Sequence, residues 1–151
     1  MRIKLLALAA LICLAAPAAA QAPSNTTIKV AQAPDVVLSK TVRYLATQSI
    51  SPDTVDKEAG TITATGPTKQ GDWLKCEHRR GIVHDIRYKL MILIDKAEDG
   101  GSIVTIAMTG EGQNARRRRL IVIPIGMSRN AIACPSTGAM EKGLGAYLTA
   151  Q

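Results

Sequence analysis

The chain has 151 residues and a formal net charge of +7. That length leaves room for one domain and excludes a TIM barrel or a two-domain enzyme. Hydrophobic residues make up 46% of the chain, enough for a folded core, yet it contains no Phe, one Trp and three Tyr. Ile, Val, Leu, Met and Ala must therefore fill that core.

Residues 1–20 have the pattern of a secretory signal peptide. Arg2 and Lys4 place positive charge before an apolar run over 5–16, and three alanines precede Gln21. We predict cleavage after residue 20 and a periplasmic or secreted bacterial protein. Removing 20 of the 151 residues leaves 131, and the loss of two basic side chains lowers the net charge from +7 to +5.

Two alternatives to a cleaved signal are an uncleaved membrane anchor and a lipoprotein. The apolar run is short for an anchor, because a spanning helix needs about 20 apolar residues. A lipobox has a small residue before its cysteine, whereas Ile12 precedes Cys13. We therefore expect no transmembrane segment after cleavage.

Two cysteines, Cys76 and Cys134, remain in the mature chain. An even number of cysteines in an oxidising compartment predicts a disulfide, which here would close a loop of about 58 residues. The chain-entropy model gives such a loop about 4 kcal/mol of stabilisation. The alternative is two free buried thiols.

The first predicted element is a helix. Residues 21–33 are small and polar, which predicts a flexible lead-in, and the domain would span 34–151. Pro34 suits a first helical position and Asp35 complements the helix dipole. Apolar residues then recur at helical spacing, which predicts a helix over 34–48.

Short strands with a period of two follow this helix. Thr54–Asp56 and 61–65 flank a four-residue loop that ends in Gly60, a hairpin pattern. Residues 73–77 predict a third strand, with Leu74 and Cys76 on one face. The clearest alternation covers 86–94 and 102–108, which predicts a second hairpin.

The last third of the chain predicts one more strand and a helix. A glycine-rich loop over 110–114 would lead to a strand over 120–123. Ser136 would cap a final helix that Gly143 and Gly145 weaken by about 1 kcal/mol each. The predicted fold class is α+β: an antiparallel sheet of five or six strands with an N-terminal and a C-terminal helix packed on one face.

The first candidate site is a run of four consecutive guanidinium groups, Arg116, Arg117, Arg118 and Arg119. Each guanidinium can bind a phosphate or carboxylate through two hydrogen bonds, so the run is a candidate anion-binding patch. In the periplasm the available polyanions are anionic lipid and acidic polysaccharide, and we do not expect a nucleic acid partner. The alternative is a solvated strand edge that prevents pairing between sheets.

The sequence gives little evidence for a metal site or for catalysis. Cys76, His78 and His84 would suggest zinc or copper, but the expected disulfide removes the thiolate. The sequence has no Gly-x-Ser-x-Gly and no His-Glu-x-x-His motif. We assign no catalytic residue, no metal site and no cofactor. Trp73 is either a ligand platform or an anchor of the core.

The segment from Pro34 to Thr65 pairs an amphipathic helix with a hairpin that turns at Asp56-Lys57-Glu58-Ala59-Gly60. It resembles the helix-then-hairpin unit of domains in the C-subunit lipoprotein of the outer-membrane β-barrel assembly machinery. The resemblance covers about a quarter of the mature chain and implies an accessory or scaffold role without catalysis. It assigns no functional residue to this sequence.

Together these features predict an exported envelope protein with a non-enzymatic binding or accessory role. Its partner would be an anionic envelope component, bound through the arginine run or the open sheet face. In the alternative, this protein is an assembly or scaffold factor that binds an envelope protein through its exposed strand edges. A third reading is a small hydrolase or metal-binding protein.

Overall fold

The computed structural model describes residues 25–69, 71–77, 83–115 and 129–150. These residues form six strands and two helices in one antiparallel α+β arrangement, which confirms the predicted fold class. In chain order the elements are β1 (Asn25–Val30), α1 (Pro34–Thr47), β2 (Thr54–Asp56), β3 (Thr61–Pro67), β4 (Val83–Lys96), β5 (Ser102–Ala115), β6 (Arg129–Pro135) and α2 (Ala139–Thr149). The predicted signal peptide, the arginine run and the predicted strand over 120–123 lie outside these ranges.

The sheet is organised around β5. Its strand order is β1-β5-β4-β3-β2, and β6 also pairs with β5. The first half of β5 pairs with β1, from Ser102 to Ala107, and the second half pairs with β6, from Thr109 to Ala115. The other side of β5 pairs with β4 along most of its length. One long strand therefore connects three others.

The core lies between the helices and one face of the sheet. Alternate residues of β4 are buried, from Ile86 to Ile94, while most of those between them are exposed. The buried side pairs Ile92 with Ile106 in register, and both are fully buried in a cluster that includes Leu45 of α1 and Leu144 of α2. Burial of each aliphatic side chain contributes about 1.5–3 kcal/mol to the free energy of folding. Aliphatic residues therefore supply the core stability to which Phe contributes in other proteins.

The predicted β2–β3 hairpin is present, and its turn has a clear cause. The Asp56 carboxylate accepts hydrogen bonds from the N–H groups of Glu58, at 3.0 Å, and Ala59, at 2.9 Å. Gly60 has a φ of 62° and lies against the backbone of Ile94, whose N–H donates to the Gly60 carbonyl at 2.8 Å. A Cβ at this position would collide with the Ile94 carbonyl oxygen, so both conformation and space require glycine.

The flexible lead-in predicted over 21–33 is wrong for its described part, because residues 25–30 form β1. Ile28 is partly buried against the core and Val30 is 4% exposed, whereas Lys29 between them is exposed. Lys29 forms an ion pair with Asp99 at 2.9 Å. A polar edge strand with so few apolar residues shows too little periodicity to be recognised in the sequence.

Two further predictions are corrected. Residues 73–77 form no strand, although Leu74 and Cys76 are buried, and the segment pairs through one isolated bridge between Leu74 and Ser136. The loop predicted over 110–114 is the second half of β5. Its two glycines are strand residues that neighbouring side chains press against, and Gly110 adjoins Leu74.

The final helix begins at Ala139, two residues later than a cap at Ser136 predicts. Its N-cap is Gly138, which has a φ of 77° and no side-chain cap. Ser136 instead accepts a hydrogen bond from the Gly138 N–H at 3.0 Å and donates one to Glu141 at 2.6 Å. The serine therefore organises the entry into α2 from outside the helix.

Candidate functional site

The predicted disulfide is present. The Sγ atoms of Cys76 and Cys134 are 2.01 Å apart, and the two residues are 58 positions apart in sequence. Cys134 lies on β6 and is 2% exposed, and Cys76 is 3% exposed. The bond therefore ties an irregular segment to an edge strand of the sheet.

The structure gives no support to a metal site in the part of the chain it describes. His84 is exposed on β4, and Cys76 has no thiolate because it is in the disulfide. His78 lies outside the described residues. Within the described ranges no three His, Cys, Asp or Glu side chains come together in a way that could hold a metal ion.

Residues 71–76, which we call the Trp73 turn, are held by several contacts to the end of β6. The Trp73 carbonyl accepts a hydrogen bond from the Thr137 N–H at 2.8 Å, and the Lys75 N–H donates to the Pro135 carbonyl at 2.9 Å. Leu74 is fully buried and packs against Gly110, where a Cβ would clash with it. Together with the disulfide, these contacts fix the position of Trp73.

Trp73 is partly exposed and meets Tyr88 of β4 edge to face. Their ring centroids are 5.6 Å apart and the ring planes are at 81°, a geometry that aromatic pairs favour. Both rings line a cleft of about 440 Å³, which we call the Trp73 cleft. Its other lining residues come from the end of α1, the end of β3 and the turn: Gln48, Ser49, Ile50, Pro67, Thr68, Lys69 and Asp72.

Tyr88 is set in place by the strand beside it. It pairs with Gly66 of β3, where a Cβ would approach the Tyr88 hydroxyl to 2.9 Å. Burial raises the pKa of Tyr88, and the nearby negative charge of Asp53 raises it further. Asp53 is itself oriented by the Thr65 hydroxyl, which donates to its Oδ2 at 2.8 Å. The glycine therefore makes room for the ring that supports Trp73.

The sheet face opposite the core is a second candidate surface, which we call the open sheet face. Threonines predominate on it, and register pairing brings Thr65, Lys89 and Thr109 into one row. The next row toward the end of the sheet pairs Arg87 with Glu111. The rows above them include Asn25, Thr27, Lys29, Thr61, Thr63, Met91, Leu93, Asp95, Ile103, Thr105 and Ala107.

The charge and exposure of the open sheet face define its chemistry. Met91 is 47% exposed, and it is the only large hydrophobic side chain of this face in the described residues to exceed a third. Arg87 and Lys89 are both exposed, and neither forms an ion pair with another described residue. The face is therefore polar, and near one end it carries two cations, Arg87 and Lys89, and one carboxylate, Glu111, with no ion pair among these described residues.

Glu141 is a buried carboxylate that the sequence did not single out. It is 1% exposed in α2, and its Oε1 accepts the Ser136 hydrogen bond. Its Oε2 is buried with no hydrogen-bond partner among the residues the structure describes. Because Ser136 bridges to Leu74, this carboxylate lies behind the Trp73 turn and connects it to the start of α2.

Comparisons with family models, with curated proteins and with solved structures found no match. The resemblance to the assembly-machinery lipoprotein therefore stays a prediction. Over the described ranges, none of the helices has the length and apolar character that crossing a membrane requires.

Proposed function

We propose that this protein is exported to the bacterial envelope and binds an acidic polysaccharide there, without catalysing a reaction. The basic end of the open sheet face, Arg87 and Lys89, is the observation that carries the proposal. The disulfide supports the export part, because such bonds persist in oxidising compartments. The signal-like segment over residues 1–20 supports it independently.

The two cations suit an anionic chain. Arg87 and Lys89 are two residues apart on one strand, so they project from the same face about 7 Å from each other. Thr65 and Thr109 flank Lys89 on the neighbouring strands and add hydroxyl groups that donate or accept hydrogen bonds. Carboxylate or phosphate groups spaced along a polymer would meet both cations and hydroxyls.

The polarity of the face favours a polysaccharide over a lipid surface. Membrane-binding surfaces combine apolar anchors with clusters of about four to eight basic residues. Among the described residues of this face, Met91 is the one large hydrophobic side chain that is exposed, and threonines surround it.

The test is binding of a polyuronate, with neutral dextran and phosphatidylglycerol vesicles as comparison probes. We expect the wild-type protein to bind the polyuronate in low salt and to lose most of that binding in high salt, because exposed charges are screened. The double variant Arg87→Gln/Lys89→Gln should bind at least tenfold more weakly. Preferential binding to the vesicles, or an unaffected double variant, would refute the proposal.

A matched control is available on a distant part of the surface. Lys57 and Lys96 are exposed and line a separate cleft of about 550 Å³ beside the first turn of α1. The variant Lys57→Gln/Lys96→Gln removes the same amount of charge as the test variant. It should keep wild-type affinity within about twofold if binding is local to the basic end.

A second candidate function uses a strand edge. β1 is an edge strand whose only strand partner in the described part of the sheet is β5, so its other side could take an added strand from a protein. A crosslinking pull-down from the envelope fraction tests this function. A partner retained in high salt, and lost when β1 is deleted, would favour a role in assembly over polysaccharide binding.

A further inference from the structure

We propose that the Trp73 cleft is a binding site for a sugar ring. The inference rests on the proposed function, because it names the cleft as the place where a sugar unit of the polysaccharide is held. It also makes a claim of its own: a neutral oligosaccharide should bind there without help from the basic end of the open sheet face.

The aromatic wall of the cleft is preorganised. Trp73 is fixed from behind by the disulfide-linked turn and from the side by its edge-to-face contact with Tyr88. A pyranose ring presents a face of C–H groups, whose partial positive charge is attracted to the negative face of an aromatic ring. A tryptophan held this rigidly loses little conformational entropy when a ring packs on it.

The rim of the cleft has the polar groups that sugar hydroxyls need. The side chains of Gln48, Ser49 and Asp72 are exposed, and none makes a hydrogen bond to another described residue. An amide, a hydroxyl and a carboxylate together supply both donors and acceptors. Lys69 balances the charge of Asp72, so the lining is formally neutral, which suits a neutral ring.

The size and position of the cleft also fit a polymer unit. Its volume of about 440 Å³ falls in the range of small-molecule sites, about 300–1,000 Å³. Pro67 lines both this cleft and a neighbouring one of about 330 Å³ that contains Arg87 and Gln113. A chain that crosses Pro67 can therefore place one ring on Trp73 and an anionic group beside Arg87.

A proline-rich peptide is the competing occupant, because extended proline segments also dock in aromatic grooves. The polar side chains at the rim of the cleft favour a sugar over such a peptide. Such peptides present backbone carbonyl acceptors but few donors, so the Asp72 carboxylate would stay without a partner in the complex, whereas sugar hydroxyls both donate and accept. A peptide ligand is therefore an outcome that would overturn the assignment.

The experiment uses the single tryptophan as its reporter. Because the chain contains one Trp, all of its tryptophan emission comes from the cleft. The folded wild-type protein is titrated with neutral glucose and N-acetylglucosamine trisaccharides. We expect a saturable change in emission with at least one of them, matched by isothermal titration calorimetry, and no saturable change with a proline-rich peptide.

Variants assign the binding to the cleft. Trp73→Ala should reduce calorimetric affinity for the trisaccharide at least tenfold. Gln48→Ala and Asp72→Asn change exposed rim residues that the core does not need, so they test the site even if the tryptophan variant fails to fold. Each should weaken binding about threefold to tenfold. Unchanged affinity in both rim variants would overturn the assignment.

The two proposals fail separately. Arg87→Gln/Lys89→Gln should leave trisaccharide affinity unchanged while lowering polyuronate affinity. If no trisaccharide binds but the polyuronate still binds through Arg87 and Lys89, the cleft assignment is wrong and the proposed function stands. If the trisaccharide binds at Trp73 but the polyuronate does not bind, the cleft assignment stands and the acidic partner is wrong.

Discussion

Gly143 and Gly145 illustrate how a residue's role depends on its neighbours. By helix propensity each costs α2 about 1 kcal/mol relative to alanine. In the structure a Cβ at residue 143 would meet the Tyr44 hydroxyl, and one at residue 145 would approach Ile28 to 2.7 Å. The glycines let α2 lie close to α1 and β1, so the propensity cost is offset by packing that the sequence alone did not reveal.

Gly110 is the residue through which the core most directly supports the candidate site. Gly110→Ala should destabilise the protein by about 1–3 kcal/mol, because its Cβ would displace the buried Leu74 side chain. Urea unfolding measures the free energy, and tryptophan emission reports whether the turn moves. Thr109→Ala, at the exposed neighbouring position, should change the free energy by less than about 0.5 kcal/mol. Equal effects from the two variants would contradict this account.

The tyrosines give a test of burial at alkaline pH. Burial raises the pKa of Tyr44 and of Tyr88, so both should ionise at higher pH in the folded protein than in urea. Their protonated forms stabilise the fold below about pH 10, and that contribution is lost as the pH rises through their folded pKa values. Absorbance at the phenolate band follows the titration.

Asp53 provides the control for that titration. Its negative charge is the second cause of the raised pKa of Tyr88 and acts on no other shifted tyrosine. Asp53→Asn should therefore lower the alkaline midpoint of Tyr88 and leave that of Tyr44 in place. A midpoint for Tyr88 that does not move would mean that burial alone accounts for its shift.

At the scale of elements, helices and strands with strong hydrophobic periodicity were predicted from the sequence, and those with weak periodicity were not. The helix predicted over 34–48 is α1, Pro34–Thr47, and the alternation over 86–94 and 102–108 lies inside β4 and β5. β1 was not predicted because its few apolar residues give too little periodicity, and its strand partner β5 lies far away in sequence. The strand predicted over residues 73–77 is wrong because Leu74 and Cys76 are buried by the turn and by the disulfide, not by pairing in the sheet.

The disulfide makes a prediction at this scale. Reduction should lower the melting temperature, because it releases a loop of 58 residues that the bond closes in the unfolded chain. The loss should be no more than about 4 kcal/mol on the chain-entropy model. Calorimetry with and without reductant measures it, with the double variant Cys76→Ser/Cys134→Ser as the control that reductant does not affect. Two titratable thiols in the native protein would contradict the bond.

At the scale of the whole molecule, the candidate site was predicted only in part. The sequence singled out Trp73 and the Cys76–Cys134 pair, and the structure brings them to one segment. It did not indicate Tyr88 or Pro67 as site residues, because the pairing of β3 with β4 decides what faces Trp73. Glu141 gave no local signal, since its partner Ser136 precedes the helix.

Export is the prediction that concerns the molecule as a whole. Osmotic shock of the source bacterium should release the protein, and its N-terminus should begin at Gln21, as expected for signal cleavage. A cytoplasmic enzyme measured in parallel controls for lysis. Recovery of the protein only with that enzyme, with residues 1–20 retained, would contradict export.

The central position of β5 has a consequence for how the chain folds. β1 is the earliest described strand, yet its partners begin at Ser102, so it stays unpaired until most of the chain is available. Folding that waits on such distant pairings is slow compared with local hairpins. Because β1 is polar, it does not promote aggregation of the partly folded chain while it is unpaired. The polar composition that gives β1 too little periodicity for prediction also keeps the partly folded chain soluble until β5 is available to pair with it.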